Sequence, residues 1–129
     1  MPNIRDESGN PPNLGPTLAE VTTALVRLHR DRYGKGPTRS KSYLVDDLLV
    51  CVMRDVFSPL ETTLIEAGES ERVRGARLAV RDASQELWSE AVERVVGRRV
   101  VGHSGQVLTD LGMAVEVFVL APEEVSSEA

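Results

Sequence analysis

The chain has 129 residues, of which 41% are hydrophobic and 27% are charged, and its formal net charge is −5. This length fits one domain with a core of its own. No apolar run approaches the ~18 residues that a membrane helix needs, and the amino-terminal segment lacks the apolar stretch of a secretory signal. The single cysteine, Cys51, cannot form an internal disulfide. Together these features predict a cytoplasmic protein that does not insert into a membrane.

The acidic charge lies mainly at the ends of the chain. Residues 1–16 hold one basic and two acidic residues, the last nine residues hold three Glu, and the body is close to neutral. A nucleic-acid-binding domain is expected to be basic, so this balance predicts no nucleic-acid partner. We interpret residues 1–16 as a flexible arm because they are rich in Pro, Gly and Asn. Residues 17–121 then form a single domain, and residues 122–129 an acidic disordered tail.

Capping signals predict the first two helices. Thr17 and Glu20 have the spacing of a capping box at the start of a helix over 17–33, which the glycine at position 34 ends. Ser58 and Glu61 repeat that spacing around Pro59, which is typical of the first helical position. This second helix is short and is predicted to run to about residue 67.

A third and longer helix is predicted over 70–96, with Gly97 at its end. Gly75 leaves open a later start or a bend, because Gly weakens a helix interior. Small and apolar residues recur at helical spacing along its length. These residues are Val73, Ala76, Val80, Ala83, Leu87 and Ala91, and the stripe is widened towards its C-terminal end by Trp88, Val92, Val95 and Val96. Four arginines in its first half alternate with acidic residues, which favours a salt-bridged surface over a binding site for RNA.

Four strands are predicted. Residues 42–45 and 48–54 form a hairpin around Asp46 and Asp47. A third strand covers 99–104, residues 105–112 form a loop, and a fourth strand covers 113–120 with Glu116 as its only polar residue.

The predicted element order, α-β-β-α-α-β-β, is typical of an α+β two-layer sandwich. In this fold a four-stranded, mainly antiparallel sheet carries helices on one face. Leu48 to Met53 and Met113 to Leu120 are apolar on both sides, whereas one helical layer covers only one side. The uncovered side would be an apolar patch of the kind that marks association. We therefore expect a homodimer or a larger homo-oligomer, formed through the sheet or through the apolar stripe of the long helix.

The segment GKGPTRSK is a candidate anion site, since Lys35, Arg39 and Lys41 supply positive charge beside two glycines. Phosphate loops, however, place their N–H groups at the start of a helix, and this segment follows a helix end. A structural turn is therefore the favoured interpretation.

Asp46 and Asp47 are a candidate carboxylate pair for acid-base catalysis or for binding Mg²⁺. Adjacent residues point apart and no third ligand is near, so a solvated turn is favoured there.

The remaining reactive residues do not combine into a catalytic set. We expect His29 to be solvated on the charged side of the first helix, and Cys51 to be a buried, inert thiol. His103 with Asp110 is a weak candidate for a small polar site. The spacing of these residues matches no zinc site and no nucleophile-base pair. The sequence therefore predicts no enzyme, no metal and no cofactor.

Several segments together resemble one family of small bacterial proteins, the MpsC family, over residues 17–121. They are GKGPTRSKSYLVDDLLV, SPLETTLIEAG, VERVVGRRVV and AVEVFVL. The resemblance implies a soluble accessory or regulatory component of a membrane-potential-generating system linked to cation translocation and inorganic-carbon uptake. It also implies a membrane-protein partner, and it assigns no catalytic residues. Our leading hypothesis is a non-enzymatic accessory protein that acts by protein contacts. The alternative is a small-ligand or anion sensor that uses the GKGPTRSK turn.

Overall fold

The computed structural model describes residues 13–123, which form three helices and four strands. In chain order these are α1 (Gly15–Tyr33), β1 (Arg39–Val45), β2 (Leu48–Arg54), α2 (Pro59–Glu66), α3 (Ser70–Val96), β3 (Val100–Leu108) and β4 (Met113–Leu120). The predicted element order and the α+β class are confirmed. Most of the predicted arm and of the predicted acidic tail lie outside the described residues. No helix in the described part is long and apolar enough to cross a membrane.

The four strands form one antiparallel sheet in the order β1-β2-β4-β3. The two most apolar strands, β2 and β4, are its centre, as their nearly continuous apolar sequences predict. β1 lies at an edge and is joined to β2 by a turn in which Asp46 has a φ of 54°. Asp tolerates this left-handed conformation better than most residues do. The predicted four-stranded antiparallel sheet is therefore confirmed.

One face of the sheet packs against α1 and α3, and this face contains the core. The strands contribute alternate side chains because successive residues of a strand point to opposite faces. The main buried apolar residues are Leu18, Val21, Leu25, Leu49, Cys51, Met53, Trp88, Val92, Ala114, Phe118 and Leu120. The helices thus lie on one side of the sheet, in the two-layer arrangement that the element order predicts.

The opposite side, here called the open sheet face, has no helix of the described chain against it. Its apolar residues are Tyr43, Val45, Leu48, Val50, Val52, Leu108, Met113, Val115, Val117 and Val119. Val45, Leu48 and Val119 are 50%, 40% and 38% exposed, and the others are half-buried by their neighbours in the sheet. The excess apolar surface of the two central strands is therefore left facing outward.

Two strands are longer than predicted. β1 begins at Arg39 instead of residue 42, because its polar first residues pair with the end of β2, with Arg39 opposite Arg54. β3 continues to Leu108, whereas residues 105–112 were predicted to be a loop. Gly105 and the three residues after it pair with β4. A glycine and a glutamine suggested a loop, but pairing with an apolar central strand overrides weak local preference.

The helix starts show one correct and one incorrect prediction. At α2 the Ser58 Oγ accepts a hydrogen bond from the Glu61 N–H at 3.2 Å, and the Ser58 N–H donates to Glu61 Oε1 at 3.0 Å, which confirms the capping box. At α1 the predicted box at Thr17 does not form. That helix begins at Gly15, inside the predicted arm, with Leu14 at the cap position and no side-chain cap. Pro16 in the first turn explains the earlier start, because its fixed φ suits that position.

The bounds of α3 agree with the prediction, but its buried face agrees only in part. The helix passes through Gly75 from its start at Ser70, so the later start is wrong. Its buried residues are Val73, Arg77, Ser84, Trp88 and Val92. Of the predicted stripe, Ala76, Ala83 and Leu87 are exposed. The helix turns its one large aromatic residue into the core, because Trp buries far more apolar area than alanine methyl groups do.

Candidate functional site

The GKGPTRSK turn is held by its own hydrogen bonds. Gly34 ends α1 with a φ of 77°, a left-handed conformation that glycine adopts without strain. The Lys35 ammonium donates to the backbone carbonyl of Asp55, and the carbonyl of Lys35 accepts a hydrogen bond from His29 Nδ1 at 2.7 Å. The Thr38 hydroxyl donates to the Asp55 carboxylate. Lys35 thus links the turn to the end of β2.

The other predicted site residues do not gather around Lys35. Arg39 is exposed at the start of β1, and the Lys41 ammonium lies 5.4 Å from the centre of the Tyr43 ring. Asp46 is exposed in the hairpin turn, and the Asp47 carboxylate accepts from Arg98 Nη2 at 2.5 Å. The length of β1 separates the cations from the aspartates by about 20 Å. The five residues therefore occupy two ends of one hairpin.

A first buried ionic group, here called the Arg77 cluster, consists of Arg77, Glu61 and His29. Arg77 Nε and Nη2 donate to the two Glu61 carboxylate oxygens at 2.6 and 2.9 Å. Arg77 Nη1 donates to His29 Nε2 at 2.9 Å, and Nη2 also donates to the carbonyl of Val56 at 2.9 Å. The guanidinium carbon lies 4.1 Å from the centre of the Tyr33 ring. The cluster joins all three helices to the segment after β2.

Burial and charge fix the protonation states in this cluster. Burial and, second to it, the neighbouring Arg77 cation together lower the pKa of His29 to about 4, so the imidazole is neutral. A neutral ring that donates from Nδ1 to a carbonyl can accept at Nε2, which is what Arg77 requires. Burial alone would raise the pKa of Glu61, but hydrogen bonds from Arg77 and Ser58 outweigh it and leave that pKa below its usual value.

Two expectations about this cluster are wrong. His29 was expected to be solvated, but it is 1% exposed, and Arg77 was expected on a salt-bridged surface, but it is 3% exposed. A signal for His29 existed, because it continues the four-residue spacing of the buried pair Val21 and Leu25. The surface interpretation holds for Arg72, which pairs with Glu69 at 3.0 Å while its side chain is 76% exposed.

A second ionic group, here called the Arg81 cluster, consists of Arg81, Glu116 and His103. His103 Nε2 donates to Glu116 Oε1 at 2.7 Å, and Arg81 Nη2 is 3.4 Å from Glu116 Oε2. The side chains of His103 and Glu116 are 1% and 6% exposed. The His103 ring stacks on Phe118 with 4.4 Å between ring centres. The predicted pairing of His103 with Asp110 is wrong, since Asp110 is exposed in the β3–β4 turn.

Gly105 makes room for this second group. It lies opposite Glu116 in the sheet, and a Cβ atom at this position would be 2.3 Å from Glu116 Oε1. The carboxylate therefore lies across the backbone of β3 where any side chain would collide with it. Glu116 could have been suspected from the sequence, because it is the one charged residue in β4 and shares the inward alternation of Ala114 and Phe118.

The buried reactive groups are closed to solvent. Burial raises the pKa of the Cys51 thiol to about 11, which confirms a buried, inert cysteine. His103 and Glu116 form a potential acid-base pair, but their low exposure keeps a substrate from reaching them in this conformation. Within residues 13–123, no three His, Cys, Asp or Glu side chains are grouped as metal ligands would be.

Charge on the open sheet face is unevenly distributed. Arg39, Lys41 and Arg54 lie at one end, in register across β1 and β2. The strand residues of this face, as far as the structure describes them, include no Asp or Glu. The opposite end adjoins the β1–β2 turn, where Asp46 is exposed. The face is therefore basic at one end and apolar across its middle, and the exposed Asp46 borders its other end, where Asp47 is paired with Arg98.

Comparisons with known proteins give one family and one relative of unknown role. Residues 15–122 match the model of the family described as MpsC, Na⁺-translocating membrane potential-generating system. The uncharacterized protein YrhF of Bacillus subtilis (strain 168) is 25% identical over 104 residues, which cover 79% of this chain and 85% of that protein. No solved structure matches the chain. Neither match gives a sign of enzymatic activity.

Proposed function

The chain belongs to the MpsC family, and from this premise we propose that it is a non-enzymatic, cytoplasmic accessory protein of a membrane-potential-generating system. It acts as a homodimer joined through the open sheet face, and the dimer contacts a membrane-protein subunit of that system. The observation that supports the dimer most strongly is the apolar composition of that face, with three residues at least 38% exposed. Monomeric proteins rarely leave a contiguous patch of this kind uncovered.

The size of the face suits a second copy of the chain. Four strands about 4.8 Å apart, with about seven residues each at ~3.4 Å per residue, give a planar footprint of roughly 450 Å². The area buried on both copies together is then roughly 900 Å², and the projecting side chains add further buried surface. Specific interfaces begin at about 1,000 Å² of total buried surface. Two such sheets would pack as in a sandwich, about 10 Å apart.

The charge pattern favours one orientation of the two copies. A two-fold axis that runs across the strands places the basic end of one sheet over the hairpin turn of the other. Arg39 of one copy then lies near Asp46 of the second, and the same contact recurs by symmetry. A two-fold axis along the strands would instead place the two basic ends together, which like-charge repulsion disfavours. The face is therefore complementary to itself in only one of these arrangements.

A non-catalytic role agrees with the burial of the reactive side chains. The histidines, Cys51 and Glu116 are all closed to solvent, so contacts rather than chemistry are available to a partner. The anion-sensor alternative at the GKGPTRSK turn has less support, because the Lys35 ammonium is already bonded to the carbonyl of Asp55. A dimer joined by its sheets would present its helices outward, and we place the contact with the membrane subunit there.

Light scattering coupled to size-exclusion chromatography tests the dimer. The subunit mass is 14.1 kDa, and we expect about twice that value at micromolar concentration. Val50→Lys or Val117→Lys, in the middle of the open sheet face, should give a folded monomer, because a charge would be buried without a partner. Leu60→Lys is the matched control, since Leu60 is 71% exposed on α2. A wild-type mass of one subunit, or equal dissociation by the control, would contradict the proposal.

A charge exchange tests the orientation. Asp46→Lys alone should weaken the dimer, and adding Arg39→Asp in the same chain should restore it, because the two positions meet across the two-fold axis.

Affinity capture tests the membrane contact. When the chain is used to capture partners from membranes of the source organism in mild detergent, it should retain a membrane subunit. If none is recovered while the dimer is intact, the accessory role fails although the dimer stands.

A further inference from the structure

A cavity of about 350 Å³ lies between α3 and β3, on the helix-covered side of the sheet. It is lined by Arg74, Arg77, Leu78 and Arg81 of α3 and by residues 105–108 of β3. Of these strand residues, Val107 shares the inward register of Ala114 and contributes its aliphatic side chain. This volume is at the lower end of the range for small-molecule sites, which are mostly apolar with a few placed polar groups. The cavity therefore has the size and lining of a site for a small ligand.

The arginines that line this cavity differ in how far their charges are neutralised. Arg77 also borders it, but all three of its guanidinium nitrogens are bonded within the Arg77 cluster and to the Val56 carbonyl. Arg81 is 14% exposed, and the structure gives its guanidinium one hydrogen bond, at 3.4 Å to Glu116 Oε2. That length is beyond the usual range for a strong bond. Most donors of Arg81 thus face no close acceptor within residues 13–123.

The acceptor that Arg81 approaches is already engaged. The other oxygen of Glu116 accepts the 2.7 Å hydrogen bond from His103. Gly105 holds the carboxylate in this position by leaving space for it. The remaining donors of Arg81 reach solvent and are not sealed in the core, so the acceptor of a ligand can replace water there. A carboxylate ligand matches the planar fork of an arginine side chain.

The arrangement along α3 sets the shape of the ligand. Arg74, Leu78 and Arg81 follow one another at helical spacing, so they share one side of the helix. Arg74 is 40% exposed and pairs with Glu71 at the surface, where such pairs are weak. The cavity therefore has a buried cation at one end, an aliphatic middle and a solvated cation at its mouth. Glu116 offsets one of these charges, which suits a ligand with a single negative charge.

We propose that this cavity binds a small aliphatic monocarboxylate. Arg81 holds the carboxylate, the carbon chain lies on Leu78 and Val107, and Arg74 attracts the anion at the mouth. A multiply charged anion such as inorganic phosphate fits less well, because the Glu116 carboxylate would repel it and the aliphatic wall would contact nothing. This site is separate from the open sheet face and does not depend on the dimer.

Calorimetric titration of the full chain with hexanoate, hexanamide and inorganic phosphate tests the proposal. Hexanoate should bind saturably with a dissociation constant on the order of 1 mM, and more tightly than either other probe. Arg81→Leu should weaken hexanoate binding roughly ten- to hundredfold, the range for a hydrogen bond to a charged group. Arg72→Leu is the control and should change nothing, because Arg72 lies outside the cavity and pairs with Glu69.

A second pair of variants keeps the test decisive if Arg81→Leu does not fold. Leu78 is 45% exposed, so Leu78→Glu and Leu78→Gln should both fold. Leu78→Glu should abolish hexanoate binding by like-charge repulsion, whereas Leu78→Gln should weaken it only severalfold. Equal binding of hexanoate and hexanamide, phosphate binding as tight as hexanoate binding, or no difference between the two Leu78 variants would each overturn the proposal.

Discussion

The Arg77 cluster and the Arg81 cluster contain the same three residue types, Arg, Glu and His, but differ in completeness. In the first, the guanidinium has two carboxylate oxygens, an imidazole nitrogen and a carbonyl within 2.9 Å. In the second, the guanidinium has one bond at 3.4 Å, and the buried Nδ1 of His103 has no hydrogen-bond partner in the described chain. The first is a closed structural junction, whereas the second is left incomplete beside a cavity.

This difference follows from what surrounds each cluster. The Arg77 cluster lies where three helices meet, so acceptors reach it from several elements, and Tyr33 and Phe57 cover it. The Arg81 cluster lies between one helix and a sheet whose backbone groups are already paired. Because the donors of Arg81 that have no partner border a cavity, they can bind a ligand, whereas the fully bonded Arg77 has no donor left for one.

Substitution of Arg77, the centre of the fully bonded cluster, should cause the largest loss of stability. Arg77→Leu leaves the buried Glu61 carboxylate and His29 without their partner, and we expect a loss of about 3–5 kcal/mol in the free energy of unfolding. Chemical denaturation at one fixed protein concentration measures it. Arg72→Leu should cost less than ~1 kcal/mol, because its ion pair is exposed. Similar losses for the two variants would remove the distinction between structural and surface arginines.

Acid should weaken the complete cluster through His29. Its pKa is about 4 in the folded state, whereas the ordinary value for histidine is 6.5, so only the unfolded chain takes up this proton between these two pH values. The contribution is therefore full above pH 6.5 and is lost as the pH falls to about 4. It amounts to about 3 kcal/mol at most. Glu61, whose pKa is lowered, adds a further loss at more acidic pH.

Urea denaturation across this pH range measures the effect of acid. His29→Gln should remove the slope between pH 6.5 and 4, because the variant has no proton to take up at this position. The slope at lower pH, to which Glu61 contributes, should persist in the variant. An unchanged slope between pH 4 and 6.5 would show that His29 is not buried in its neutral form.

Two glycine-to-alanine substitutions, at Gly105 and Gly75, should change the stability by smaller amounts and in opposite directions. Gly105→Ala forces the Glu116 carboxylate away from β3, and we expect a loss of about 1–3 kcal/mol, the usual range for overpacking. Gly75→Ala is the matched control, because no atom lies within 4 Å of its added methyl group. In a helix interior that change should stabilise the fold by about 0.5–1 kcal/mol. Thermal denaturation of both variants checks the opposite signs.

The sequence was most informative where local chemistry decides the structure. The Ser58 capping box, the glycines after α1 and α3 and the hairpin at Asp46 and Asp47 all depend on residues close together in the chain, and each lies where predicted. The contacts of the two clusters could not be predicted in this way. The pairs Arg77–His29 and Arg81–Glu116 join positions that are 35 or more residues apart in the chain. Local sequence patterns do not predict contacts between such distant positions.

By itself, the sequence determined the element order, the α+β class and the excess of apolar residues in the two central strands. Periodicity and capping are local properties, and one layer of helices cannot cover both sides of a sheet. Only the tertiary structure decided which side of α3 is buried, that β3 continues through Gly105, and that His29 and Arg77 are internal. Those outcomes depend on which distant side chains meet, because a buried charge is stable only where the fold brings it a partner.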